Sequence, residues 1–158
     1  MTPGVRTALC LRRSPLTVVP LFALAVTSIA VGAWAQFAPN SFFENFPLGQ
    51  GWVSTDGPYN EHLVRDVGGL NLALGAVTIA VVLAGTVGSR RLAAIGWLVY
   101  GLAHFVYHLH HLEPFTTIDA VLVALATVST PALALIAVLA TTRGLRRVHR
   151  PVGGRQAR

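Results

Sequence analysis

The residues able to do chemistry in this 158-residue chain cluster in one short stretch, Ala103 to Leu112, at the end of an apolar run that begins near Leu92. On a helix His104, His108 and His111 fall at i, i+4 and i+7, which stacks three imidazoles on one face over roughly 10 Å at about 1.5 Å rise per residue. Tyr107 lies on that face as well. Imidazoles are costly to bury in apolar surroundings without partners, and ionisable groups inside a membrane mark function by default. Two histidines one turn apart are the usual start of a transition-metal site for Zn, Cu or Fe, and His62 or His111 with one carboxylate would complete the ligand set. His62 and His104, on different helices, would also suit the two axial positions of a single b-type haem. His110 and His111 also read as interfacial, solvated residues.

A second constellation opens the helix that starts near residue 61. His62 and Asp66 are i, i+4, as are Glu61 and Arg65, so two polar pairs form on adjacent faces. A carboxylate beside an imidazole selects its tautomer and raises its basicity. Without any metal, Glu61 and Asp66 become candidate catalytic groups, acting with the histidines as general acid and base on a lipid-soluble substrate such as a quinone, a terpenoid or an acyl chain. Arg65 would then stabilise negative charge. Tyr107 and Asn71 are the polar side chains expected to hold the cofactor or ligand. Against this stands a purely structural account, in which Arg65 pairs with Glu61 and Asp66 as a clamp within the bundle. No Ser-His-Asp order and no glycine-rich phosphate loop is present.

The elements that must position these groups are membrane spans. Only 11% of the residues are charged, 53% are hydrophobic and the mean hydropathy is +0.60, which is too apolar for a soluble domain. Four apolar runs are expected as helices, at about 16–36, 61–87, 92–111 and 117–141, forming an all-α, integral-membrane, up-down four-helix bundle. The first run follows a basic start and ends in Ala33-Trp34-Ala35, which also fits a secretory signal with its cleavage site. Its length of roughly 20 residues favours a retained helix. Asn60 and Thr116 or Thr117 are candidate N-caps. Gly88-Ser89-Arg90-Arg91 reads as a very short turn that makes the second and third spans antiparallel neighbours. Gly68, Gly69, Ala73, Gly75 and Ala76 offer a close-packing surface, and Pro131 interrupts the fourth span, with nearby hydroxyls available to freed backbone groups. The connection 37–60 carries Phe37, Phe42, Phe43, Phe46, Trp52 and Tyr59 among Pro, Gly and Asn. That composition suits an interfacial aromatic belt, a lid over a cavity, or both.

Charge fixes the expected orientation. All twelve basic residues are Arg. Residues 1–15 and 142–158 are read as basic cytoplasmic ends, and with Arg90 and Arg91 they place every arginine except Arg65 on one side. The six acids, Glu44, Asp56, Glu61, Asp66, Glu113 and Asp119, fall on the other. By the positive-inside rule both termini are cytoplasmic in a cell inner membrane. The basic balance is thus a topology signal, with some attraction to anionic lipid, and argues against nucleic acid as a partner. The single Cys10 forms no internal disulfide. The start of the second span, the end of the third and the start of the fourth then share the outer layer, bringing Glu61, His62, Arg65 and Asp66 to His104, His108, His110, His111 and Asp119.

The segments Ser41–Pro47 and Gly57–Gly75 resemble a group of small bacterial four-helix membrane proteins. The pattern Arg65-Asp66-x-Gly68-Gly69 followed by Gly75 is more distantly similar to DoxX-like proteins. The resemblance spans about residues 16–141 and implies the four-helix fold, with quinone or thiol redox partners but no shared catalytic motif. The histidine cluster and the lone inward Cys10 depart from it, which counts against thiol chemistry. The spacing His104-x3-His108-x-His110-His111 is also locally similar to one histidine box of membrane di-iron desaturases and hydroxylases, which carry more boxes than this chain holds. The leading expectation is a His/carboxylate site in the outer leaflet that binds a metal ion or redox cofactor. The alternatives are a metal-free enzyme on a lipid-soluble substrate, and a non-catalytic accessory subunit of a larger membrane complex. A proton- or ion-coupled carrier is a further reading, one that would need a homodimer.

Overall fold

The computed structural model describes residues 14–148. Cys10, the N-terminal arginines, His149 and the arginines beyond it lie outside the described residues. The described chain is all-helical: α1 (Pro15–Phe37), a short α2 (Pro39–Asn45), a 3-10 turn (Val53–Asp56), α3 (Glu61–Ala84), α4 (Val87–Leu109) and α5 (Thr117–Val148). Four of these helices, α1, α3, α4 and α5, are long and apolar enough to cross a membrane, so the chain is a multi-pass membrane protein.

Local chemistry sets the helix ends. Pro15 occupies the first turn of α1, where its missing N–H costs nothing. Asn60 caps α3 by accepting from Leu63 N at 3.2 Å, and Thr116 caps α5 by accepting from Asp119 N at 3.2 Å. Two boundaries differ from expectation. The break between the second and third spans is Gly85-Thr86, because Thr86 Oγ1 accepts from Ser89 N at 3.2 Å and draws Gly88 to Arg91 into the first turns of α4. At the other end α5 does not stop near residue 141. Thr141 and Thr142 bond back to the Ala137 and Val138 carbonyls inside the helix, which runs on to Val148. The loop after α1 also holds regular structure, since Pro39 starts α2 and Phe42 is buried beneath it.

Helix pairing is not the chain-order pairing that the short turn suggested. The extensive contacts are α1 with α3 and α4 with α5, while α3 and α4 touch little despite their tight connection. Between lipid-exposed helices there is no water to expel, so close backbone approach decides the partners. In α3, Gly68 lies against α1, where an added Cβ would sit 2.6 Å from Gln36 N. Gly32 of α1 is equally tight against Gly68 O and Leu72 N, at 2.8 Å. Gly101 of α4 serves the other pair, its Cβ position lying 2.8 Å from Pro131 N of α5. The small residues of α3 are therefore partly consumed inside the bundle. The Thr127 and Ser129 hydroxyls bond carbonyls one turn back in α5, at Val123, Ala124 and Ala126.

Two apolar clusters close the two ends. Near the α3–α4 connection Leu21, Leu24, Val82, Ala94, Trp97, Ala134 and Ala137 pack together. Here the buried Arg90 guanidinium donates to the Val81 and Val82 carbonyls, each at 3.1 Å, placing a cation on the negative end of the α3 dipole. At the opposite end Ala35, Phe42 and Val64 are joined by Trp34, Phe46 and Val53. Trp34, Phe42 and Phe46 meet with ring centroids 4.8–6.0 Å apart. This aromatic segment roofs the bundle.

Candidate functional site

Between the two clusters the bundle encloses a partly open cavity of about 1550 Å³. Its walls come from all four spans, with Phe42, Phe46, Trp52 and Tyr59 of the roof and Phe115 of the α4–α5 connection above it. Trp52 and Phe115 meet edge to face at 6.3 Å, so the two connections are joined over the opening. Trp97 lies at the floor, where its Nε1 donates to Thr78 Oγ1 at 2.9 Å. Because α3 and α4 make few contacts beyond that bond, Val67 on α3 and Tyr100 and Tyr107 on α4 line the cavity while remaining 38–46% exposed.

A strip of linked polar groups runs along this largely apolar wall. Ser28 Oγ reaches the Asn71 carbonyl at 2.8 Å and Asn71 Oδ1 at 2.9 Å, while Asn71 Nδ2 donates to Val67 O at 2.9 Å. The Asn71 side chain also interacts with the Tyr100 phenol. Tyr100 stacks on His104 at 5.4 Å, and His104 meets His108 edge to face at 4.6 Å. Tyr107 stands edge-on to His108 and stacks on His111 at 4.1 Å. The i, i+4 spacing thus produces a ladder of rings on α4 that climbs from the cavity wall to the surface. Its top rung, His111, is exposed and bonds the Tyr107 carbonyl through Nδ1 at 2.7 Å.

Two nitrogens in the wall have no partner among the described residues: His108 Nδ1, and the roof's Trp52 Nε1. A buried donor or acceptor left unmade costs about 1–3 kcal/mol, and both atoms are covered by neighbouring groups although their residues line the cavity. Asp56, on the 3-10 turn, lines the same space and exerts an electrostatic effect on both His104 and His108. At the rim the Tyr59 phenol is pushed above its ordinary range by desolvation and by the Glu61 and Glu44 carboxylates, against Arg65, and remains a neutral donor.

His104, His108, Tyr107, Asn71, Glu61 and His62 all line this one cavity. It does not bring all the expected ligands or acids together. His62 pairs with Asp66 at 3.2 Å on the surface, its side chain 88% exposed, and His111 is held on Tyr107. Among the described residues no group of three or more His, Cys, Asp or Glu side chains gathers closely enough to hold a metal ion. The expected set of His62, His104, His108 and His111 is therefore not assembled, because the i+7 imidazole turns onto its neighbouring phenol and His62 onto its own helix. Of the expected catalytic groups, Arg65 donates to Glu61 Oε1 at 2.8 Å and to the Gln36 carbonyl, clamping α3 to the end of α1. Arg65 and Asp66 are absent from the cavity wall.

Tyr100, Ser28, Asp56 and Trp52 belong to the site but did not stand out in the sequence. Tyr100 carried a signal, being four residues before His104. In the sequence Trp52 reads only as one of the aromatic residues of the 37–60 connection, and Asp56 only as one of the outer acids. Comparison of the chain with protein-family models, with curated proteins and with solved structures finds no match.

Proposed function

We propose that this membrane protein holds a lipid-soluble ligand in the cavity beneath its aromatic roof, within the outer leaflet of the cell inner membrane, with both termini cytoplasmic. The observation that carries the reading is the cavity itself. Its volume of about 1550 Å³ exceeds the roughly 300–1,000 Å³ of ordinary small-molecule pockets, and its lining is mostly aliphatic and aromatic, with the Asn71–Tyr100–His104–His108 strip along one wall and Asp56, Glu61 and His62 among its other polar residues. The sparse seam between α3 and α4 supplies an entrance from the bilayer. His104 and His108 are the side chains able to exchange a proton with the ligand's polar end, were it to be transformed there. The orientation rests on Arg90 and Arg91 at one end of the spans and the six acids at the other. Reporter fusions after residues 50 and 150 should report opposite sides; the same side for both would refute it.

Lipid extraction and mass spectrometry of protein purified in mild detergent test the ligand reading. Wild-type protein should carry a lipid that Ala126→Trp, which fills the cavity from α5, loses while remaining monodisperse. Equal lipid content in both proteins would overturn it. A second reading, a Zn, Cu or Fe site, is favoured by the close His104–His108 pair. It needs further donors from the ligand or from solvent.

A further inference from the structure

The cavity is a cleft between two helix pairs, and both of its flanks reach the outer surface of the bundle. On the α3–α4 side Leu63, Val67, Tyr100 and Tyr107 line it while 38–59% exposed. On the other side α1 and α5 pack toward the floor, where Leu21 and Leu24 join Ala134 and Ala137. Further out, Thr27 of α1 and Leu122 and Ala126 of α5 line the cavity and are exposed. Ala126 and Leu122 lie about 140° and 180° around α5 from Pro131, the residue set against Gly101 of α4, so they are turned away from α4. All these positions fall within membrane spans, where apolar lips cost little because lipid chains are as apolar as leucine.

Depth points the same way. Trp97 at the floor and His108 near the top are separated by about 16 Å of helical rise, close to the roughly 15 Å of hydrocarbon in one leaflet. Above that level the rim is polar, since Asp56, Tyr59, Asn60, Glu61 and His62 line it and are exposed. Glu61 is paired with Arg65 and His62 with Asp66, so the rim presents charges of both signs. Below it, opposite the Asn71–Tyr100–His104 strip, Leu24, Val31, Val123 and Ala126 supply an apolar wall. Thr127, in the same wall, turns its hydroxyl to the Val123 carbonyl at 2.7 Å. Polarity down this wall thus follows polarity down a leaflet.

Resting on the lipid-binding reading above, we infer that the ligand is a two-chain lipid of the adjoining leaflet, taken up sideways through the flanks and held at its ordinary bilayer depth. Its head group lies at the rim, its chains run between the two helix pairs, and the chain ends reach the level of Trp97. Sideways uptake keeps the head group in the interfacial layer throughout, so no polar group has to cross hydrocarbon. Two open flanks and a volume of about 1550 Å³ suit a pair of chains, where an enclosed pocket would suit one compact molecule.

The test uses the full chain in phosphatidylcholine nanodiscs. These carry a phosphatidylcholine probe with a diazirine either beside the acyl ester or at a chain end, and labelled residues are mapped by mass spectrometry. The ester-proximal probe should label Val53 and His108 at least threefold more than Thr27 and Thr130, and the chain-end probe should reverse that order. Lysophosphatidylcholine with the same chain-end diazirine should label Thr130 at least threefold less than the two-chain probe. Leu102, exposed on α4 and outside the cavity wall, reports the lipid around the bundle. In Ala126→Trp the labelling of Asn71 and Thr130 should fall at least fivefold while that of Leu102 is unchanged. Loss of the depth order, or equal labelling by the one-chain probe, overturns the leaflet-lipid inference and leaves the cavity reading intact. Labelling of Asn71 and Thr130 undiminished in Ala126→Trp would instead remove the cavity reading, and this inference with it.

Discussion

Trp97 Nε1 donates to Thr78 Oγ1 at 2.9 Å, and the Thr78 hydroxyl in turn donates to Leu74 O at 2.7 Å. This relay joins α4 to α3 at the level where the packed half of the bundle gives way to the cavity. Below it lie Val82 and Arg90; above it the two helices are tied by little besides Asn71 and Tyr100. Trp97→Phe and Thr78→Val should each lower stability by about 0.5–1.5 kcal/mol, the range for an interhelical hydrogen bond in a membrane. The double variant should be less destabilised than the sum. Thermal unfolding in detergent reads this, and strict additivity would show that the bond couples nothing.

The two helix pairs depend on glycines that leave no room for a side chain. Gly68→Leu should separate α3 from α1, and Gly101→Leu should separate α4 from α5, each lowering the yield of monodisperse protein severely. Gly96 has open space around its Cβ position, so Gly96→Ala should be neutral or stabilising by up to about 1 kcal/mol through helix propensity. A loss of fold in Gly96→Ala comparable to that in Gly68→Leu would contradict the pairing described.

The polar pairs that open α3 divide into a clamp and a surface contact. Arg65→Ala breaks the link to the Gln36 carbonyl and should destabilise the protein by about 1–3 kcal/mol, since a charged donor to a partly buried carbonyl is lost. Asp66→Asn removes an exposed partner of His62 and should change stability by less than about 0.5 kcal/mol. Lipid content should survive Asp66→Asn. Its disappearance there would restore Asp66 to the functional set.

Of the imidazoles in the wall only His104 and His108 pack against each other, so metal analysis of protein purified in mild detergent should find less than one equivalent of Zn, Cu or Fe. One full equivalent that both His104→Ala and His108→Ala abolish, and His111→Ala does not, would favour the metal reading over a purely organic ligand.

Much of the fold could be read from the chain because a bilayer leaves few choices. Four runs of sufficient length and apolarity can only be helices, Asn60 and Thr116 announced their caps, and the i, i+4 pairs Glu61–Arg65 and His62–Asp66 formed as their spacing required. The ladder from His104 to His111 was legible for the same reason, since helical period alone stacks those residues. What misled was proximity in sequence. The short turn expected at residues 88–91 suggested that the second and third spans are antiparallel neighbours along their length, yet a turn constrains only the residues beside it, and packing further along is decided by where backbones can approach.

By itself, then, the sequence determined that the chain is helical, that it crosses the membrane with its acids gathered at one end, and which residues face the same way on each helix. These follow from hydropathy, charge and a period of 3.6 residues. Tertiary structure decided that Gly68 and Gly101 commit α1 to α3 and α4 to α5, and so leave the seam between α3 and α4 open. It also decided that His62 and His111 turn aside while Trp52 and Asp56, from the connection after α2, join His104 and His108 in lining one cavity. Those outcomes depend on distances between residues far apart in the chain, which no local pattern encodes.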